Sequence, residues 1–156
     1  MIHPITSADL RALAEGHSVS GIRRVDSPLA TPEILAMLTG IAAEIEKWFT
    51  PAAWLMIEDG EAVGLCSIKA VDPDGSIDIG YGVAPTRRKR GAATRAVADV
   101  VTWARTDPRV RHLTAETMPE SGASPRILLA NGFAQVGERI DVEDGRVWCW
   151  RRGCSD

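Results

Sequence analysis

Residues 79–94 read Ile-Gly-Tyr-Gly-Val-Ala-Pro-Thr-Arg-Arg-Lys-Arg-Gly-Ala-Ala-Thr, a strand, a short basic loop and the opening of a helix. The first turn of a helix has backbone N–H groups without intrahelical partners, and it lies at the positive end of the helix dipole. It is therefore a ready site for an anion. Gly91, Ala92 and Ala93 are small enough to let a phosphate reach that backbone, and the cations Arg87 to Arg90 add long-range attraction for a polyanion. A basic run can also be no more than a solvated face. The strand–loop–helix setting favours the anion site. Neither G-x-x-x-x-G-K-S/T nor G-x-G-x-x-G occurs, so the two commonest phosphate grips are not the ones in use. Nor is there a G-x-S-x-G elbow or a Cys–His pair to supply a nucleophile. His3, His17 and His112 share no metal-ligand spacing, and no metal is expected.

The elements that must position this loop are legible from residue 31 onward. Thr31 caps and Pro32 opens a helix whose apolar face is expected to hold Ile34, Leu38, Ile41, Ile45 and Trp48. Two apolar runs, 54–57 and 62–68, flank Asp59-Gly60 and predict a hairpin. A third strand follows from Ser76 to Val83. Ala93, Val97, Val100, Val101 and Ala104 mark a helix over 91–105, closed by Asp107-Pro108. Residues 110–117 predict a strand. Ser124 and Pro125 predict a capped helix start, and Asn131-Gly132 its stop. Residues 134–142 and 146–150 predict a last hairpin around Asp144-Gly145. Its Ile140, Val142, Val147 and Cys149 would face one way, Trp148 and Trp150 the other. Trp48 and Trp54 are expected in the core, as is Cys66. Residues 1–30 carry little periodicity.

A chain of 156 residues suits one domain with a core of its own. The net charge of −3 argues against a nucleic-acid partner. No apolar run is long enough to span a membrane, and the start Met-Ile-His-Pro lacks the pattern of a signal peptide, so the cytoplasm is the expected location.

Arg88-Lys89-Arg90-Gly91-Ala92-Ala93 resembles the Q/R-x-x-G-x-G/A loop of the GNAT superfamily of N-acyltransferases, and Val83-Ala84-Pro85 its V-x-P strand end. Residues 115–133, from Ala115-Glu116-Thr117-Met118-Pro119 to Asn131-Gly132-Phe133, resemble its later E-x-x-P-x-N-x-x-S…G-F segment. The spelling is most similar to the branch of the ribosomal-protein alanine N-acetyltransferases.

That resemblance implies an α/β fold: a single GNAT-like domain over residues 1–156, with a mixed, mostly antiparallel sheet of about seven strands and helices on both faces. It implies acetyl-CoA as co-substrate, with Gly82 and Val83 holding the pantetheine. Arg88, Lys89, Arg90, Gly91, Ala92, Ala93 and Thr94 would hold the pyrophosphate, with Ser121 where the family often has an asparagine. Transfer would be direct, in a ternary complex, to a primary amine of a small molecule or a protein N-terminus. The alternative is a non-catalytic CoA-binding module. Leu128 stands where many relatives carry a tyrosine acid, which leaves Ser121, Ser124, water or Tyr81, the only tyrosine, to serve. Glu116 and Asp78 are the candidate bases, on strands where different family members place theirs. A homodimer is left open.

Overall fold

The structure, a computed structural model, describes residues 1–119 and 122–154. It opens with strand β1 (Ile2–Ile5) and helix α1 (Ser7–Ala14). In α1, Thr6 and Asp9 form a reciprocal capping box. Two-residue β2 (Arg23–Arg24) follows, and these three elements are what the unpatterned residues 1–30 build. Helix α2 (Pro32–Ile45) starts as expected, with the Thr31 hydroxyl accepting from the Ile34 N–H at 3.2 Å. Its buried stripe is Leu35, Leu38, Ala42 and Ile45. The expected face is thus rotated: Ile34 is 43% exposed, and Trp48, beyond the helix end, is 62% exposed.

Strands β3 (Ala53–Glu58), β4 (Glu61–Val71) and β5 (Ser76–Val83) form an antiparallel meander. Helix α3 (Ala92–Thr106) then crosses to β6 (His112–Thr117), which lies parallel to β5. Helix α4 (Ala123–Ala130) leads to the hairpin β7 (Ala134–Asp141) and β8 (Gly145–Gly153), with β8 between β6 and β7. The sheet runs β1-β3-β4-β5-β6-β8-β7, with β2 beside β4, eight strands among the described residues and mostly antiparallel. The core includes Trp54, Leu55, Met56, Cys66, Ile68, Ile77, Ile79 and, from α3, Val97 and Val100.

Three local expectations need correcting. Helix α4 begins at Ala123, and Gly122 occupies the cap position without a side-chain bond, so Ser124 lies inside the first turn. The last hairpin turns through three residues, pairing Asp141 with Gly145, and this shifts its register by an odd number. A slip of that kind moves every side chain to the other face. Arg139, not Ile140, therefore opposes Val147. Val142 lies in the turn, and both Ile140 and Val142 are exposed.

Candidate active site

Strand β5 is where the site begins. Its pairing with β6 runs only from Ser76↔His112 to Ile79↔Ala115, and beyond Ile79 the two strands part. On the other side β5 stays paired with β4 as far as Val83. The Ala84 N–H donates to the Val63 carbonyl at 2.8 Å. Along an antiparallel ladder the direction of the backbone groups alternates, so Gly82 and Gly80 also face β4 while Tyr81 and Val83 face the gap. Of the expected pair, Val83 rather than Gly82 presents its backbone to the opening. Arg88 Nε donates to the Val83 carbonyl at 3.2 Å, which leaves the Val83 N–H as the group pointing into the gap.

Glycine is required one strand away. A Cβ on Gly64 would sit 2.5 Å from the Gly82 carbonyl oxygen and 2.8 Å from Met56 Sδ, so β4 and β5 approach this closely only because Gly64 has none. An apolar run interrupted by glycine is the sequence signal of such an approach.

Below the gap the chain turns through Pro85–Arg87 into the basic loop and α3. Lys89 and Gly91 both lie in the left-handed region, at φ 64° and φ 81°. Gly91 caps α3 without a side-chain bond, and the first intrahelical N–H is that of Arg95, 3.1 Å from the Gly91 carbonyl. The amides of Ala92, Ala93 and Thr94 are therefore open at the helix start. Arg95 braces the turn by donating to the Arg90 carbonyl at 2.8 Å and pairing with Glu58. Of the four cations, Arg87 pairs with Glu61 at 3.6 Å and Arg88 holds Val83, while Lys89 and Arg90 are exposed.

A cavity of about 720 Å³ lies along this surface, lined by Tyr81–Val83, Arg88, Lys89, Gly91–Thr94 and, from α4, Ser124 and Ile127. Arg90 is not among its lining residues, and Ser121 lies outside the described residues. Asn131, expected as a helix stop and as part of the later family-like segment, ties the two walls together. Its amide donates to the Thr94 carbonyl at 3.2 Å and to the Ile127 carbonyl at 2.9 Å. A second cavity of about 480 Å³ opens between α2, the loop before it and the β4–β5 surface. The two cavities share Tyr81, Gly82, Val83 and Arg88.

Tyr81 points its hydroxyl at α4, donating to the Ser124 carbonyl at 3.4 Å. Burial pushes its hydroxyl up to about 12, so it stays protonated. Leu128, expected in place of an acid, is fully buried. Cys66 is buried against Tyr81, and burial raises its thiol to about 12, the behaviour of a core residue. The two candidate carboxylates share a face of the sheet, and neither lines either of these two cavities. Asp78 accepts from the Thr114 hydroxyl at 2.8 Å, and burial holds its carboxyl above the usual range. Glu116 is gripped by both Nε and Nη2 of Arg139, which holds it below that range. The corrected hairpin register is what brings Arg139 there. Among the described residues no cluster of three His, Cys, Asp or Glu side chains forms a metal site, and no helix is long and apolar enough to cross a membrane.

The sequence profile of the acetyltransferase (GNAT) domain matches residues 1–134. The chain belongs to the GNAT acetyltransferase family. No curated protein matches it in sequence. Among solved structures, RimL, a ribosomal L7/L12 α-N-protein acetyltransferase in complex with coenzyme A, superposes with a TM-score of 0.71 at 16% identity, covering 97% of this chain and 92% of that one. The ribosomal-protein-alanine N-acetyltransferase of Brucella melitensis gives 0.70 at 18%, covering 98% and 99%. A chimeric spermidine N-acetyltransferase built from Vibrio cholerae and hSSAT sequences gives 0.70 at 11%, covering 99% and 95%. At these identities the likeness is one of fold.

Proposed function

We propose that this GNAT chain moves an acetyl group from acetyl-CoA to a primary amine by direct attack, the donor lying in the larger cavity and the amine in the smaller. The observation that carries this reading is their common wall, Tyr81–Val83, at the point where β5 leaves β6. The donor's chemistry fits the larger cavity. Open amides at the start of α3 and the Lys89 cation suit a pyrophosphate, and the strand edge at Tyr81 and Val83 suits an amide-bearing arm.

In the reaction the amine nitrogen bonds the acetyl carbon and the C–S bond breaks. One proton leaves the nitrogen and one is taken up by the thiolate. The Val83 N–H is aimed where it can hold the thioester oxygen as charge develops there. Tyr81 turns its single O–H from the Ser124 carbonyl, a long 3.4 Å contact, to the departing sulfur. A thiolate whose thiol has a pKa of about 8.5 is a weaker base than a phenolate whose phenol stands at about 12, so the phenol keeps its proton and solvent protonates the thiolate. Asp78 is the better-placed base. It sits two residues, about 7 Å, along the same strand face from Gly80, which lines the amine cavity, so one water can bridge it to the nitrogen. Its raised affinity for a proton suits the task, whereas Arg139 makes the Glu116 carboxylate a weaker base.

The test is CoA release from acetyl-CoA over a panel of amines and N-terminal peptides, for wild type and Tyr81→Phe. Wild type should turn over at least one amine. The variant should lose about 10- to 100-fold in kcat at unchanged acetyl-CoA affinity, the scale of one hydrogen bond to a charged group. Tight acetyl-CoA binding with no release to any amine would return the chain to the non-catalytic module.

A further inference from the structure

The walls of the smaller cavity restrict what kind of amine can enter it. Leu29, Leu38 and Leu65 are buried along it, while Ile34 and Met37 stand 43% and 49% exposed where α2 meets its opening. Such side chains on the outer part of a helix lose no contact with the core by facing a ligand, and methionine adapts to irregular shapes. The polar groups are few. Thr31 is occupied in capping α2. Ser67 is buried on the floor, and no hydrogen bond of its hydroxyl to a described residue is found. The charged lining residues are Lys69 and Arg88, both cations, and no Asp or Glu of the described residues lines the cavity. The Lys69 stem lies over Gly80, its Cδ 2.9 Å from where a Cβ would stand.

Beyond this rim stand Asp78 and Glu116 on the β5–β6 face, with Asp72 near Asp78. Glu116 is already matched by Arg139, and Asp78 shares its surroundings with Lys69. Within the cavity itself, then, two cations and no carboxylate of the described residues await a ligand, so nothing there matches a second ammonium group.

We propose that the acceptor is a primary amine on an apolar body with no second positive charge, so that polyamines and aminosugars of several ammonium groups are excluded. This rests on the acetyl-transfer reading only for what happens after binding. Binding itself can be measured without turnover, by titrating amines into the protein saturated with CoA and following the heat.

Phenethylamine should bind at least about tenfold more tightly than spermidine, a difference of about 1.4 kcal/mol. The double variant Ile34→Asp, Met37→Asp changes two half-exposed positions outside the buried stripe of α2, so its melting curve should stay near wild type. It should reverse the order of the two amines. Leucinamide and a tetrapeptide amide beginning with leucine separate a free amine from a chain terminus, and binding of either supports the class. Spermidine binding wild type as tightly as phenethylamine would overturn the proposal, as would a folded double variant with the order unchanged. Binding in the expected order without CoA release from acetyl-CoA would instead sink the transfer reading and leave the ligand class standing. Preferential release to spermidine would do the reverse.

Discussion

Asp78 and Glu116 share one face of the sheet and yet have opposite proton affinities, because their neighbours differ. Glu116 is exposed enough to meet a guanidinium, and the pairing is screened by solvent, so its worth to stability is small. Asp78 is more deeply buried, with a hydroxyl as its nearest partner. A carboxylate whose folded pKa is raised lowers stability as it ionises. The penalty sets in as pH passes the unfolded value, about 3.9, and is complete above the raised folded value. Asp78→Asn keeps an oxygen for the Thr114 hydroxyl and removes the charge. It should therefore raise the melting temperature at pH 8 and change it little at pH 4. If Asp78 is the base, the same variant loses about 10²–10⁴-fold in kcat with acetyl-CoA affinity unchanged. Melting curves at the two pH values and steady-state kinetics check both halves, and a Tm gain with full activity would leave Asp78 structural. Sequence alone named both carboxylates and set Glu116 slightly ahead of Asp78, the reverse of what their surroundings favour. Burial and the Arg139 contact arise from strands 23 residues apart, which no local pattern records.

Among the elements, β5 carries the wall that the two cavities share, and Gly64 sets its separation from β4. Gly64→Ala places a methyl against the Gly82 carbonyl oxygen, a backbone atom that cannot rotate away. Overpacking of this kind costs about 1–3 kcal/mol, and relief requires β5 to move at the residues that face the gap. The variant should melt roughly 2–12 °C lower and lose acetyl-CoA affinity although residue 64 lines neither cavity. Calorimetric melting and a binding titration measure the two effects, and unchanged affinity would show that the Val83 N–H does not contribute. The meander itself was legible because Asp59-Gly60 and Asp74-Gly75 mark its turns between apolar runs. The N-terminal elements were not. β1 is a four-residue edge strand that contains Pro4, and α1 buries only Leu10 and Leu13, too few for a period to show. In α2 the misread residues are informative. Ile34 looked like core by type, and it is apolar because it borders a cavity.

At the scale of the whole molecule, the larger cavity joins parts of the chain that are distant in sequence: the end of β5, the start of α3 and the first turns of α4, with Asn131 fastening α4 to α3. A ligand bridging such parts binds only the folded state and raises its apparent stability by mass action. At a hundredfold excess over Kd the gain is about 2.7 kcal/mol, which for a chain of this length moves the melting midpoint by about 5–10 °C. Acetyl-CoA should produce that shift, and NAD and ATP should produce much less, since the strand edge at Tyr81–Val83 is suited to an amide-bearing arm they lack. Gly91→Glu tests which end of the ligand dominates. The residue sits at φ 81°, where a side chain costs about 1–2 kcal/mol, so the variant's own midpoint should fall by a few degrees. The Arg95 guanidinium, 2.7 Å from the new Cβ, lies at the end of a flexible side chain and can swing aside. A carboxylate would then occupy the mouth of the open amides and repel a pyrophosphate. Against its own lowered baseline the variant should show almost no shift with acetyl-CoA. A full shift would mean that the pyrophosphate does not sit on the α3 start. Equal shifts from all three ligands in wild type would reduce the cavity to a general phosphate site, because only the pantetheine arm distinguishes acetyl-CoA at the gap between β5 and β6.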